Sequence, residues 1–451
     1  MTHDLDQLSD VLVVGLAVTG RAVVDAMLRR GVQVVAVDDR PSEAARLAAN
    51  DRGIELYEAP GDQALSQLVE AAQIVVPSPG VPRHHPIWRV ADQAGVPIVS
   101  ELDLAAAWDD RPIAAITGTN GKTTVTSLVT SMLRRSGIGA VAAGNVDTPL
   151  VEAIDRTGDP ATDVFVVEAS SFRLETVELF APTVAAWLNL APDHLDWHPD
   201  MDAYAAAKAR IFANAARVRA QGREPIAVVP ASDELIRSHA LRSERTIVRF
   251  GLGEGDVAWV GGVLSLHGDA LVAEADVPRR LPHDLANAAA AAAVAHHIGA
   301  SAEAIATELT EFVGLPHRMS LVGLIDGVAW YDDSKATTPD ATLAAVSGLT
   351  DAVLICGGRN KGLDLGVLST IADRLVGVVA IGESAAAVAD VFDGLVPVDS
   401  ATSMSEAVSL ARRRAVPGGS VVLSPSCASY DWYTNYVERG LDFTRLVESL
   451  A

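Results

Sequence analysis

The segment Gly118-Thr119-Asn120-Gly121-Lys122-Thr123 constrains the fold of this chain more than any other feature. It lies between an apolar run over 113–116 and a helical pattern that reaches about residue 135. A strand that turns through glycines directly into a helix is the front of a β–α unit. Chains built from such units lay their strands side by side in a mostly parallel sheet. The backbone N–H groups of the turn and the positive end of the helix also make an anion site. Lys122 stands where an ammonium reaches the β- and γ-phosphates of a nucleotide, and Thr123 where a hydroxyl reaches Mg²⁺. The spacing is not that of the general phosphate loop, because Ala115 and not glycine lies six residues before Gly121.

The same grammar recurs on both sides. A strand over 11–14 leads through Gly15-Leu16-Ala17-Val18-Thr19-Gly20 into a helical pattern over 21–30, and a second strand over 32–37 ends at Asp38-Asp39. A strand over 72–76 ends at Ser78-Pro79-Gly80. In the middle of the chain, strands over 164–167 and 184–188 end at Glu168 and Asn189, and an Ala-rich helix is expected over 201–219. Towards the C-terminus, strands are expected over 328–331, 352–356, 378–381 and 420–423. The fold class is therefore α/β, with parallel-type sheets in three successive units, and 451 residues suit about three domains. We place them at 1–100, 101–314 and 315–451.

Composition narrows the function. The net charge is −23, which disfavours a nucleic-acid or anionic-membrane partner and leaves phosphate to a few placed cations. Two cysteines, Cys356 and Cys427, make neither a disulfide framework nor a Cys-based zinc site. No apolar run reaches the ~18–20 residues of a membrane helix, and the acidic start is no signal peptide. A cytoplasmic enzyme is expected. Of 35 cationic residues only four are lysine, namely Lys122, Lys208, Lys335 and Lys361. Arginine replaces lysine on a solvated surface, but not where a point charge or a reactive amine is needed.

Glu168 and the pair Asp193-His194 follow strands, where an open α/β sheet binds its ligands. They suit Mg²⁺ coordination or charge organisation near a phosphate. Lys208 shares an apolar helical face with Tyr204, Ile211, Phe212 and Ala215. Desolvation there would free the neutral amine, which can take up CO₂ as a carbamate; a lysine that snorkels to solvent is the other reading. Three strand-end loops form a candidate binding edge: Asp332-Asp333-Ser334-Lys335-Ala336-Thr337, Gly357-Gly358-Arg359-Asn360-Lys361-Gly362 and Ser424-Pro425-Ser426-Cys427-Ala428-Ser429. The Gly15 to Gly20 turn with Asp38 behind it is close to a dinucleotide fingerprint, weakened by Ala17 in place of the middle glycine.

In this order the motifs resemble the Mur ligase family over nearly the whole chain, and within it the D-glutamate-adding branch. The resemblance implies a Rossmann-like UDP-binding domain, a central P-loop-type ATPase domain with a parallel sheet, and a Rossmann-like C-terminal domain that binds the amino acid. It implies ATP-dependent joining of D-glutamate to UDP-N-acetylmuramoyl-L-alanine through an acyl phosphate, in the synthesis of peptidoglycan precursors, by a monomer. Lys122, Glu168, His194 and Lys208 would be catalytic. Mg²⁺, two ions by this reading, would be held by Thr123 and Glu168 and by His194 and carbamylated Lys208. ATP would meet Gly118, Thr119, Asn120, Gly121, Lys122, Thr123 and Thr124, with Asn287, Arg318, Asp333 and Lys335. The UDP-sugar would meet Val18, Thr19, Asp38, Asp39, Arg40, Gly80, Asn145 and Ser170. Thr337, Lys361, Ser429 and the backbone of Tyr436 would grip the amino acid. Asp147 and Ala169 depart from the family's usual glycine and leucine. A sibling ligase using another amino acid, a nicotinamide-dependent dehydrogenase and a non-catalytic nucleotide-binding module are the competing readings.

Overall fold

The computed structural model describes residues 5, 7–145, 148–156, 162–195 and 197–450; Asp147 lies outside them. The strands form three sheets, of four, nine and six strands. They fall into two compact units. One comprises Met1–Leu190, Trp197–Ala273 and Ala288–Leu309; the other comprises Ala191–Asp196, Glu274–Asn287 and Thr310–Ala451.

The first unit contains two sheets. In the four-stranded sheet, strand Asp10–Val14 lies between Gln33–Asp38 and Ile74–Pro77, all parallel, and Glu55–Glu58 closes one edge. In the nine-stranded sheet, Ile113–Thr117 sits between Val164–Glu168 and Val184–Trp187, again parallel. All three are fully buried, which is why they read as unbroken apolar runs and not as alternating ones. Strand Ala140–Gly144 adds to one side and Ile226–Pro230 and Thr246–Leu252 to the other. Beyond them, Val257–Val260, Val263–Leu266 and Asp269–Ala273 run as an antiparallel meander. The expected central sheet is thus parallel from the edge strand Ala140–Gly144 through to Val257–Val260, and only the two strands beyond pair antiparallel. The meander pairs by Gly-rich hairpin turns, whose short connections permit nothing but antiparallel neighbours.

The expected helix over 201–219 is also interrupted. Helix Met201–Ala209 tightens into a 3₁₀ turn over Arg210–Phe212, and a new helix begins at Ala215. Asn214 takes a left-handed conformation (φ 60°) between them. The buried Arg245 side chain accounts for the break: it donates to the carbonyls of Phe212 (2.8 Å) and Ala213 (2.9 Å), as well as to those of Pro182 (2.8 Å) and Ile226 (3.3 Å). Carbonyls engaged by a guanidinium no longer need helical partners.

In the second unit the strand order places Val328–Asp332 beside Ser420–Leu423, then Ala352–Gly357, Leu375–Ile381 and Val398–Ala401, all parallel; Ser320–Ile325 pairs antiparallel at the edge. The carboxyl ends of three adjacent strands therefore deliver the loops that start at Asp332, Gly357 and Ser424 to one sheet edge. Cores on the two faces are aliphatic, joined by Phe392, Phe443 and Trp330. Both cysteines are buried in this unit, and burial pushes their thiols up, to about 12 for Cys356 and about 11 for Cys427. Among the described residues no helix is long and apolar enough to cross a membrane.

Candidate functional site

The turn after strand Ile113–Thr117 is shaped by glycine and by one asparagine. A side chain at Gly118 would meet Leu188 Cβ at 3.1 Å and Asn120 O at 3.2 Å, and Gly121 caps the following helix with φ 84°. Asn189, at the end of the neighbouring strand, accepts the amides of Thr119 (3.0 Å) and Asn120 (2.9 Å) on one oxygen and donates to Asn120 O at 3.1 Å. These two amides hold the loop's shape instead of facing an anion. The sequence reading overlooked Asn189, whose only signal was its place at a strand end. Helix Lys122–Arg135 then presents its N-terminus at the loop.

Two lysines meet on this turn. Lys122 Nζ donates to the carbonyls of Gly118 and Thr119, each at 2.8 Å, and Lys208 Nζ donates to the same Gly118 carbonyl at 2.8 Å. Lys208 is 1% exposed, which excludes snorkelling. Its ammonium lies 4.4 Å from the centre of the Tyr204 ring, and the Tyr204 hydroxyl is 3.3 Å from Thr119 Oγ1. The predicted apolar face of Tyr204, Ile211, Phe212 and Ala215 is buried, although the helix is not continuous.

Glu168 ends the adjacent strand. Its Oε1 accepts from Asn145 Nδ2 at 2.9 Å, while its buried Oε2 has no hydrogen-bond partner. An unpartnered buried carboxylate oxygen is costly, and a cation satisfies it. Gly144 lets the two strands close: a Cβ there would come within 2.4 Å of Glu168 O. Ser170 caps the short helix Ser171–Leu174. The structure thus brings together Lys122, Thr123, Glu168 and Lys208 at the carboxyl end of one sheet. His194 belongs to the other unit, with φ 56° and its ring 3.3 Å from the Asp193 carboxylate. Among the described residues, no group of three or more His, Cys, Asp or Glu side chains is arranged to hold a metal ion alone.

At the four-stranded sheet, Asp38 accepts the Leu16 amide at 2.8 Å and the Arg40 amide at 2.9 Å, one on each oxygen. It braces the glycine turn. Asp39 pairs with His85 (3.2 Å), and Val18, Arg40 and Gly80 are solvent-exposed around the mouth. Gly20 must be glycine, since a Cβ would sit 1.9 Å from Gly15 O. Below lies a cavity lined by Ser78, Glu101, Phe172, Arg173 and Trp197. Arg173 is buried, pairs with Glu101 and donates to Thr19 Oγ1 at 3.0 Å, and its Nε has no partner. Arg173 is a second residue that sequence reasoning missed; one arginine among 31 gave no signal.

In the second unit Asp333 is fully buried and accepts from Ser424 Oγ (2.8 Å) and the Met319 amide (3.1 Å). Burial raises its carboxyl to about 7 despite these donors. Lys335 Nζ lies 3.8 Å from the centre of the Tyr436 ring. Ser334 Oγ donates to Tyr436 O at 2.8 Å, and the buried Arg439 donates to Ser334 O (2.8 Å) and to Cys427 O (3.1 Å from each Nη), tying two of the three loops together. Ser429 is buried, Thr337 half-buried and Lys361 exposed. Asn287 stands in helix Pro282–His297, near its start.

Known proteins resemble this chain along nearly its full length. The Mur ligase MurD-like N-terminal domain matches residues 9–100, the Mur ligase middle domain 116–295, and the Mur ligase glutamate ligase domain 317–427. The chain is 39% identical over 453 residues to UDP-N-acetylmuramoylalanine--D-glutamate ligase of Desulfosudis oleivorans, covering 98% of this chain and 96% of that one. It is 39% identical over 469 residues to the protein of the same name from Thermobifida fusca, covering 98% of each. Among solved structures, a pseudomurein peptide ligase type C from Methanothermus fervidus superposes with a TM-score of 0.60 at 16% identity, covering 98% of this chain and all (100%) of that one. UDP-N-acetylmuramate-alanine ligase from Thermotoga maritima gives 0.58 at 18%, covering 99% and 100%. At those identities the likeness is one of fold.

Proposed function

The chain belongs to the Mur ligase family, and from that premise we propose that it joins D-glutamate to UDP-N-acetylmuramoyl-L-alanine at the expense of ATP. The observation that supports this reading most is likeness along nearly the full length to relatives named for that reaction, with the chemistry-bearing lysines of this chain placed around one phosphate-type loop. We assign the three units at 1–100, 101–314 and 315–451 to UDP-sugar, ATP and amino acid in turn.

The substrate carboxylate attacks the γ-phosphate of ATP, giving an acyl phosphate and ADP. The amine of D-glutamate then attacks the acyl carbon, and phosphate leaves as the amide forms. Lys122 and the N-terminus of helix Lys122–Arg135 offset charge that builds on the transferring phosphoryl group. Gly118, Gly121 and Thr124 would complete the phosphate cradle, with Thr119 and Asn120 shaping the loop through their amide bonds to Asn189. Mg²⁺ would be held by Thr123, by the unpartnered oxygen of Glu168, by His194 and by Lys208 as its carbamate, and it would screen the phosphates. We assign the carbamate to Lys208, which is buried and shares the Gly118 carbonyl with the amine of Lys122.

Val18, Thr19, Asp39, Arg40, Gly80, Asn145 and Ser170 would contact the UDP-sugar, with Asp38 as the brace behind them. Asn287, Arg318, Asp333 and Lys335 would hold the nucleotide. Thr337, Lys361, Ser429 and the Tyr436 backbone would hold the carboxylates of D-glutamate.

Phosphate release from ATP and Mg²⁺ with UDP-N-acetylmuramoyl-L-alanine tests the reading. Release that requires D-glutamate, with a product heavier by one glutamyl residue, supports it. Release with L-glutamate, glycine or L-alanine instead transfers the chain to a sibling activity. Release with none removes the catalytic reading.

A further inference from the structure

The turn over residues 315–319 carries Arg318 and is strained. His317 (φ 60°) and Met319 (φ 49°), neither a glycine, both occupy the left-handed region. Each is an unfavourable conformation that persists only where its surroundings over-determine it. Several bonds do so here. The Met319 amide donates to Asp333 at 3.1 Å, the His317 carbonyl accepts the Lys335 amide at 3.1 Å, and His317 Nδ1 lies 2.6 Å from Asp332.

The remaining side of the turn is held from elsewhere. Arg279 Nη1 donates to the Met319 carbonyl at 3.1 Å. The same guanidinium grips Asp284 through Nε (2.9 Å) and Nη2 (2.7 Å), with side-chain exposures of only 15% and 7%. Gly314 (φ 110°) admits this packing, since a Cβ there would come within 2.7 Å of Arg279 Nη1. Asp284 lies in the first turn of helix Pro282–His297, and Asn287 follows it by one helical step on the same face. Both peptide groups that flank the Met319 Cα are therefore fixed, one through the Met319 N–H by Asp333 and the other through the Met319 C=O by Arg279. One guanidinium joins the helix start that presents Asn287 to the turn that presents Arg318 and to the loop of Asp333.

We propose that Arg279 and Asp284 form a positioning pair that sets the geometry of the nucleotide half of the site, so that affinity for ATP depends on two residues that need not touch it. This rests on the assignment of Asn287, Arg318 and Asp333 to ATP. The pair suits the task because a planar fork can engage a carboxylate with two N–H groups while a third reaches a carbonyl. A lysine cannot do all three.

Two variants test it in the full-length chain: Arg279→Lys, which keeps the charge, and Asp284→Asn, which keeps an acceptor. Affinity for the Mg²⁺ complex of a non-hydrolysable ATP analogue is measured by calorimetry, and KM for ATP and for D-glutamate by initial rates. The expected result is a loss of about tenfold in nucleotide affinity and a rise of about tenfold in KM for ATP, as one misaligned charged hydrogen bond would produce. KM for D-glutamate should stay within about twofold in folded, cooperatively melting protein. A merely structural pair would lower the melting temperature and leave the two KM values in their original ratio, which overturns the proposal. Unchanged nucleotide affinity in both variants overturns it alone. If the wild-type chain binds no analogue, the ATP assignment falls, and this inference falls with it.

Discussion

Lys208 shows what a single residue can be asked to do. Its amine is buried, shares the Gly118 carbonyl with Lys122, and sits on the face of Tyr204. If it acts as a carbamate, Lys208→Ala should lose at least about 100-fold in kcat and recover part of it with added short carboxylic acids. Steady-state rates with and without acetate would show this, and a fully active Lys208→Arg variant would refute it. Lys122→Ala should abolish ATP turnover whichever amino acid is used. Asp333 carries a pH signature. Its carboxyl titrates at about 7 in the folded chain, above its ordinary value near 4. Between those values the native state binds more protons than the unfolded one, so the Asp333 contribution is present at low pH and declines as pH rises to about 7. Urea unfolding at pH 5 and pH 7.5 should show a smaller drop in stability for Asp333→Asn than for the wild type; equal drops would contradict the burial argument.

At the scale of elements, the site depends on where helices stop. Residues 201–219 have the composition of one long helix, and local propensity alone would make them one. Arg245 draws the Phe212 and Ala213 carbonyls out of the ladder, and the chain turns at Asn214. Burial without a carboxylate partner lowers the Arg245 guanidinium to about 10. Arg245→Met should leave buried carbonyls unsatisfied and cost about 3 kcal/mol of unfolding free energy in a urea titration. A change under about 0.5 kcal/mol would mean that the break has another cause. Asn189 acts comparably on the phosphate loop, by occupying two amides that could otherwise have faced an anion.

At the scale of the whole molecule, the charge of −23 has to coexist with an anionic nucleotide and an anionic sugar nucleotide. Long-range attraction cannot recruit them, so affinity comes from placed cations and backbone dipoles. Binding to the native state alone then raises the melting temperature with the logarithm of ligand concentration. Differential scanning fluorimetry should show a rise with Mg²⁺–ATP analogue and with UDP-N-acetylmuramoyl-L-alanine, and none with single-stranded DNA. A rise with DNA would contradict the electrostatic reading.

The α/β class, the strand–glycine–helix turn at 118–123 and the three strand-end loops of the C-terminal region were legible in the sequence. Each rests on local chemistry: apolar runs make buried strands, glycines permit turns, and the scarcity of lysine marks those that remain. The division into three functional units at 1–100, 101–314 and 315–451 remains our assignment. Tertiary structure decided what depends on partners distant in the chain. The meander over 257–273 was invisible because its strands are only four or five residues long and carry no long apolar run. Arg173, Arg245 and the Arg279–Asp284 pair gave no signal, and Asn189 only its place at a strand end, since a polar residue's meaning lies in the group it faces. Asp38 also braces the glycine turn, a role that appears only once folding brings two amides to its oxygens. The unpartnered oxygen of Glu168 exists only once its strand is buried beside Gly144 and Asn145. Local sequence sets which elements can form. Desolvation, which turns an ordinary lysine or carboxylate into a reactive one, arises only when the elements pack.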